Sequence, residues 1–221
     1  MKQVTFSDIA IVACGTLKME LDQLKKEGFL DTDSLFFTPP GLHQNIQELE
    51  KELVKQIGRA KQKADKVIVV YGGKYCYVHA DNPFRTMQTL IEEQGPGVVR
   101  VNATHCMDMM ADEKERTVIQ QKVAGGENVF WMTPGWVKYR KMVFKGWDKG
   151  IANENFPRHR GGAVILDAIG FLDGYMAKNP EDFLDYCDWM GIPMNAYPVS
   201  LDRLKVLLQE QAEILNKMNR S

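Results

Sequence analysis

The chain has 221 residues, 44% hydrophobic and 26% charged, with a formal net charge of −1. That length suits one sizeable core, so a single domain is expected over residues 1–221. Charge so nearly balanced leaves no global field to recruit nucleic acid or an anionic membrane, and no run approaches the ~18–20 apolar residues that span a bilayer.

The N-terminal MKQVTFSDIAIVACG carries one early lysine and a short apolar run, without the length or cleavage pattern of a secretory signal. A cytoplasmic location is therefore expected, where four widely spaced cysteines are thiols or ligands rather than disulfides. Short β-branched runs then alternate with longer stretches of helical period, which is the pattern of α/β units. Strands are expected at 9–13, 35–38, 67–71, 98–103, 129–133, 164–167 and 194–198. Between them, 45–63 carries Ile46, Leu49, Leu53 and Ile57 at spacings of three and four, an amphipathic helix. A second helix is expected over 83–93, ended by Gly95-Pro96-Gly97. A further helix over 180–190 holds Phe183, Leu184 and Met190. Ser200 caps the last helix, about 200–218, whose stripe is Leu201, Leu204, Leu208 and Leu215. The expected fold is α/β: one mostly parallel sheet with helices on both faces, Rossmann-like but without a dinucleotide fingerprint.

Three of the cysteines sit where an apolar strand gives way to a turn: Cys14 after the first strand, Cys76 beyond the third and Cys106 beyond the fourth. A parallel sheet releases its strands' carboxyl ends along one edge, where such folds build their sites. These thiols, with His105 beside Cys106, are thus expected to converge. Thiolates and imidazole suit zinc or an iron–sulfur cluster. Taken singly, each cysteine also reads as a small buried hydrophobe. Cys187 lies on a predicted helix and reads as a core or interface thiol.

His105 is open between a fourth ligand, a partner behind the ligands, an acid or base, and a structural histidine. His43 follows the rigid Thr38-Pro39-Pro40-Gly41 turn and faces the same edge or solvent, while His79 and His159 have less to place them at a site. In Tyr71-Gly72-Gly73-Lys74-Tyr75-Cys76-Tyr77, Gly72 and Gly73 let the backbone approach a ligand, and Lys74 can lower a thiol pKa or hold an anion. Tyr75, Tyr77 and Trp136 can wall the pocket, or fill the core. The charged stretch 153–160 with Gly161-Gly162 reads as a loop over the site or as a plain surface connection. There is no G-x-G-x-x-G, Walker A, H-E-x-x-H, G-x-S-x-G or C-x-x-C, which removes support from dinucleotide, nucleoside-triphosphate, serine-hydrolase and zinc-ribbon chemistry.

Ala13-Cys14-Gly15, Pro40-Gly41-Leu42-His43, Tyr71-Gly72 with Cys76 downstream, His105-Cys106 and Met132-Thr133-Pro134-Gly135-Trp136 together resemble the DUF1638 family, a domain of unknown function. The family's second cysteine loop is often a tighter Tyr-Gly-x-Cys-Gly; here Cys76 comes later and Tyr77 follows it. Some members stand beside corrinoid-dependent methyl-transfer systems, so the resemblance implies one-carbon metabolism and a corrinoid methyltransferase component as partner. The chain lacks the Asp-x-His-x-x-Gly motif of corrinoid carriers.

The resulting expectation is a centre on Cys14, Cys76 and Cys106, with His105 as ligand or close partner, and His43, Lys74, Gly72, Gly73, Tyr75, Tyr77 and Trp136 around it. A small molecule is the expected ligand. The alternatives are a non-catalytic accessory or binding module, and a metal-free thiol enzyme using Cys106 with His105 or His43.

Overall fold

The computed structural model describes residues 5–79 and 82–218; the first four residues of the N-terminal stretch lie outside that range. In chain order it contains β1 (Ile9–Cys14), α1 (Lys18–Lys26), β2 (Leu35–Thr38), α2 (Ile46–Lys61), β3 (Lys66–Val70), α3 (Met87–Glu92), β4 (Val98–Arg100) and α4 (Glu113–Ala124). There follow β5 (Phe130–Met132), α5 (Pro134–Lys138), α6 (Arg140–Val143), α7 (Lys149–Asn155), β6 (Ala163–Asp167), α8 (Phe171–Lys178), α9 (Pro180–Met190), β7 (Met194–Pro198) and α10 (Asp202–Met218). Among the described residues no helix is long and apolar enough to cross a membrane.

The strands β1, β3 and β6 are near-continuous apolar runs because they are buried on both faces. Along β1, Ile9, Ile11 and Ala13 pack with Leu21 and Leu24 of α1 and with Leu204 and Leu208 of α10. Ala10 and Val12 point the other way, onto Leu49, Leu53 and Ile57 of α2 and Leu90 of α3. Asn45 begins α2 by accepting the Glu48 N–H at 3.1 Å.

All described pairings are parallel, but they form two sheets rather than the single one expected: β2-β1-β3-β4 and β5-β6-β7. The fourth strand, expected to reach residue 103, stops at Arg100. The Arg100 guanidinium folds back onto the carbonyls of Tyr71, Val101 and Ala103 at 3.1, 2.6 and 3.1 Å. Beyond the strand, backbone bonds to the β3 side continue, with the Val101 N–H on the Val69 carbonyl at 3.1 Å and the Gly73 N–H on the Ala103 carbonyl at 2.9 Å. Packing joins the two sheets: Val164 and Leu166 of β6 share a core with β1, β3 and α10. The α10 helix leaves β7 and returns to the first sheet, with Leu204, Leu207, Leu208 and Leu215 buried. Each such leucine contributes about 1.5–3 kcal/mol on burial, so this helix ties the halves together. Ser200 accepts the Asp202 N–H at 3.2 Å and satisfies one first-turn donor.

One core residue breaks the apolar pattern. Glu20 of α1 is fully buried, and neither carboxyl oxygen has a hydrogen-bond partner. Burial first, and then the Asp167 carboxylate, push its pKa up to about 8. The folded chain thus keeps a proton that the unfolded chain releases near pH 4.5. The stability this proton supports is complete below that pH and declines as pH rises towards 8. Glu20→Gln is expected to flatten the decline. Chemical denaturation at pH 5 and pH 8 should show the variant gaining on wild type at the higher pH, on the order of a few kcal/mol. Parallel pH profiles would mean that Glu20 is not held protonated.

Candidate functional site

In the first sheet the chain runs from β1 outward to β2, then crosses back to place β3 on the other side of β1. Ligands of open α/β sheets bind at such a reversal, outside the carboxyl ends of the strands. Cys14 closes β1, Cys76 lies in the loop after β3, and Cys106 lies in the loop after β4. All three line one cavity of about 290 Å³. The larger clefts, of about 620, 470 and 320 Å³, contain neither cysteine nor histidine.

Close backbone contact brings the loops together. A Cβ on Gly72 would stand 2.4 Å from His105 Cα and 2.5 Å from its nitrogen, so only glycine permits the Cys76 loop to lie on the Cys106 loop. The Gly73 and Tyr75 N–H groups donate to the Ala103 and Thr104 carbonyls at 2.9 and 3.1 Å, lacing the two loops. The Cys106 loop is held in turn by Asp108, which accepts the Thr104 N–H at 2.8 Å and pairs with Arg203 of α10 at 3.1 Å. From the second sheet, Gly135 approaches so closely that its Cβ would lie 1.9 Å from the Thr16 carbonyl oxygen. That contact sets Trp136 into the cavity wall.

Cys76 and Cys106 are held in their protonated form. Burial, and then repulsion from Cys14, push Cys76 up to about 12, against the Gly72 and Cys106 backbone N–H groups and the Arg100 charge, which favour its thiolate. Burial raises Cys106 well above the ordinary thiol value, and Cys76 and Cys14 add to it. Cys106 donates to Met107 Sδ at 3.1 Å, and Thr16 Oγ1 donates to Cys14 Sγ at 3.1 Å. The imidazoles are pushed towards neutrality. Burial, then Arg116, lowers His105 to about 4; burial lowers His43, and burial with Arg158 lowers His159. A neutral imidazole can ligate, whereas these thiols must first give up protons, which a bound cation would drive.

Of the residues singled out above, His43, Gly72, Tyr75, His105 and Trp136 line the cavity with the three cysteines. Lys74 does not; it is exposed, 5.1 Å over the Tyr75 ring, and lines an outer cleft. Gly73 abuts the Arg100 guanidinium, and Tyr77 faces away, buried near α2 and α3 and donating to Glu50 at 2.5 Å. Cys187 packs in the outer core of the second sheet. His159, given little weight from sequence, does line the cavity: the stretch after α7 turns and delivers it there. Among the described residues, no three Cys, His, Asp or Glu side chains are already disposed to hold a single metal ion.

The family described as a protein of unknown function (DUF1638) matches residues 37–208, which takes in Cys76, Cys106 and the three cavity histidines but not Cys14. No curated protein and no solved structure matches the chain.

The glycine contact is directly testable. Gly72→Ala is expected to destabilise by roughly 1–3 kcal/mol, because backbone must shift to admit the methyl group. Gly58→Ala, in mid-α2 with open space around it, should instead stabilise by about 0.5–1 kcal/mol. Urea midpoints compare the two; equal effects would mean that the Gly72 approach is not tight.

Proposed function

This chain belongs to the DUF1638 family of proteins of unknown function, and we propose that it binds a thiolate-ligated metal centre through Cys14, Cys76 and Cys106. The observation that carries the proposal is the meeting of three strand-end thiols on one cavity at the sheet's reversal point. An iron–sulfur cluster fits better than zinc. Zinc–sulfur bonds of ~2.3 Å need sulfurs roughly 4 Å apart around one ion, and no single-ion donor set is preassembled among the described residues. A cluster spreads its cysteine ligands over a larger cage. Three cysteines leave one iron open, and His105 is the nearest candidate in sequence to complete or flank the set.

When bound, such a centre supplies electron transfer or Lewis acidity at the open position. The chain's own residues exclude water and hold the donors: Met107, Met109 and Leu17 line the cavity, and Arg100 pins the loop carbonyls. A metal-free thiol enzyme is less well supported. Among the described residues no imidazole hydrogen-bonds a cysteine, the Cys106 thiol contacts a methionine sulfur, and burial opposes its thiolate. A place beside corrinoid-dependent methyl transfer belongs to the same proposal and rests on the family resemblance alone.

Protein reconstituted anaerobically with iron and sulfide is expected to carry about one centre per chain, with broad absorption near ~400 nm. Serine at position 14, 76 or 106 should each lose or weaken it, whereas Cys187→Ser should keep it. A colourless protein with one zinc per chain would select the zinc branch. Protein that takes up neither metal and stays folded would leave a metal-free binding module as the better description.

A further inference from the structure

Beside the thiols, part of the cavity wall is a row of rings. His43 stacks on Trp136 at 5.3 Å, Trp136 meets Phe130 edge-on at 5.9 Å, and Phe130 meets His159 edge-on at 5.2 Å. All four line the same cavity. Two polar atoms in this row are buried without a hydrogen-bond partner: Trp136 Nε1 and His159 Nδ1. The indole N–H is near enough to Cys106 to favour its thiolate, yet no acceptor lies in bonding geometry. Native structures rarely leave such groups unpaired, because an unsatisfied buried donor costs free energy. The indole N–H therefore points to an occupant carrying a hydrogen-bond acceptor, and the imidazole nitrogen to a second polar group on it.

The lining also limits the occupant's charge. Among the described residues that line the cavity there is no Asp, Glu, Lys or Arg. A permanently charged ligand would lose its hydration without gaining a counter-charge from the wall. Phosphates and polycarboxylates are thus poor fits, and a volume of about 290 Å³ suits a small molecule.

We propose that His43, Trp136, Phe130 and His159 form a binding face for a small uncharged carbonyl- or amide-type compound. Its oxygen accepts from Trp136 Nε1, His159 Nδ1 is its second polar contact, and its apolar body lies along Phe130 towards the thiols. This deepens the view of the cavity as the functional site but does not depend on a metal being bound there.

The test uses the full-length chain, metal-free, with isobutyramide and its charged isostere isobutyrate as probes in ligand-observed saturation-transfer NMR. Isobutyramide is expected to receive saturation, and isobutyrate about tenfold less, as a charge without a partner requires. Trp136→Phe and His159→Phe keep the rings and remove the polar atoms; each should weaken isobutyramide about fivefold, the loss of one hydrogen bond. Should Trp136→Phe fail to fold, His159→Phe, on a partly exposed turn, carries the comparison. No isobutyramide binding, equal binding of the carboxylate, or folded variants that bind as wild type would each overturn the proposal. Protein that takes up no metal yet binds isobutyramide through these two residues would remove the metal centre and leave this face standing.

Discussion

Two places where backbone rests on backbone decide the geometry of the site. At Gly72 the loop after β3 lies directly on His105, and at Gly135 the start of α5 lies directly on Thr16. A parallel sheet by itself only delivers strand ends to a common edge; it does not bring loops of different length to one point. The missing side chains at these glycines do so, setting Cys76 beside Cys106 and Trp136 over both. The Arg100 guanidinium reinforces the arrangement by gathering three carbonyls from the same loops, and Asp108 links the Cys106 loop to α10. The helix that joins the sheets thus also steadies the cavity.

Much of the fold is legible in the sequence because burial on both faces leaves few polar interruptions. β3 and β6 fall within a residue of where their apolar, β-branched runs place them, and α9 runs from Pro180 to the left-handed Gly191 that terminates it. The division into two sheets is not legible. Strand-forming runs show that parallel strands are present but not which of them hydrogen-bond, and among the described residues no pairing joins β1–β4 to β5–β7. His159 was hidden for a related reason. The search rule looks to the carboxyl ends of strands, whereas the cavity also borders the entry to β5 and the turn before β6, where Val129, Phe130 and His159 stand. Likewise, alternation around Cys76 cannot say that Tyr75 turns to the cavity and Tyr77 to the α2 side, because the segment between β3 and α3 has no regular period.

The chemistry of the cavity is a tension between groups that are soft donors and an environment that keeps them uncharged. Burial, and then repulsion from neighbouring cysteines, hold Cys76 and Cys106 as thiols, and burial holds the histidines below their ordinary pKa values. Against this stand N–H groups and one guanidinium aimed at the sulfurs. In the function we propose, a bound cation takes the place of these protons. The row of rings beside the thiols is the face we propose for the recognition of a neutral molecule.

The most direct measurement is an iron K-edge X-ray absorption spectrum of the reconstituted protein. A sulfur-dominated shell with iron–iron scattering, losing sulfur in Cys76→Ser, is the predicted result. A shell of nitrogen and oxygen ligands, unchanged when Cys14, Cys76 or Cys106 is replaced, would contradict the assignment of these three thiols to one centre.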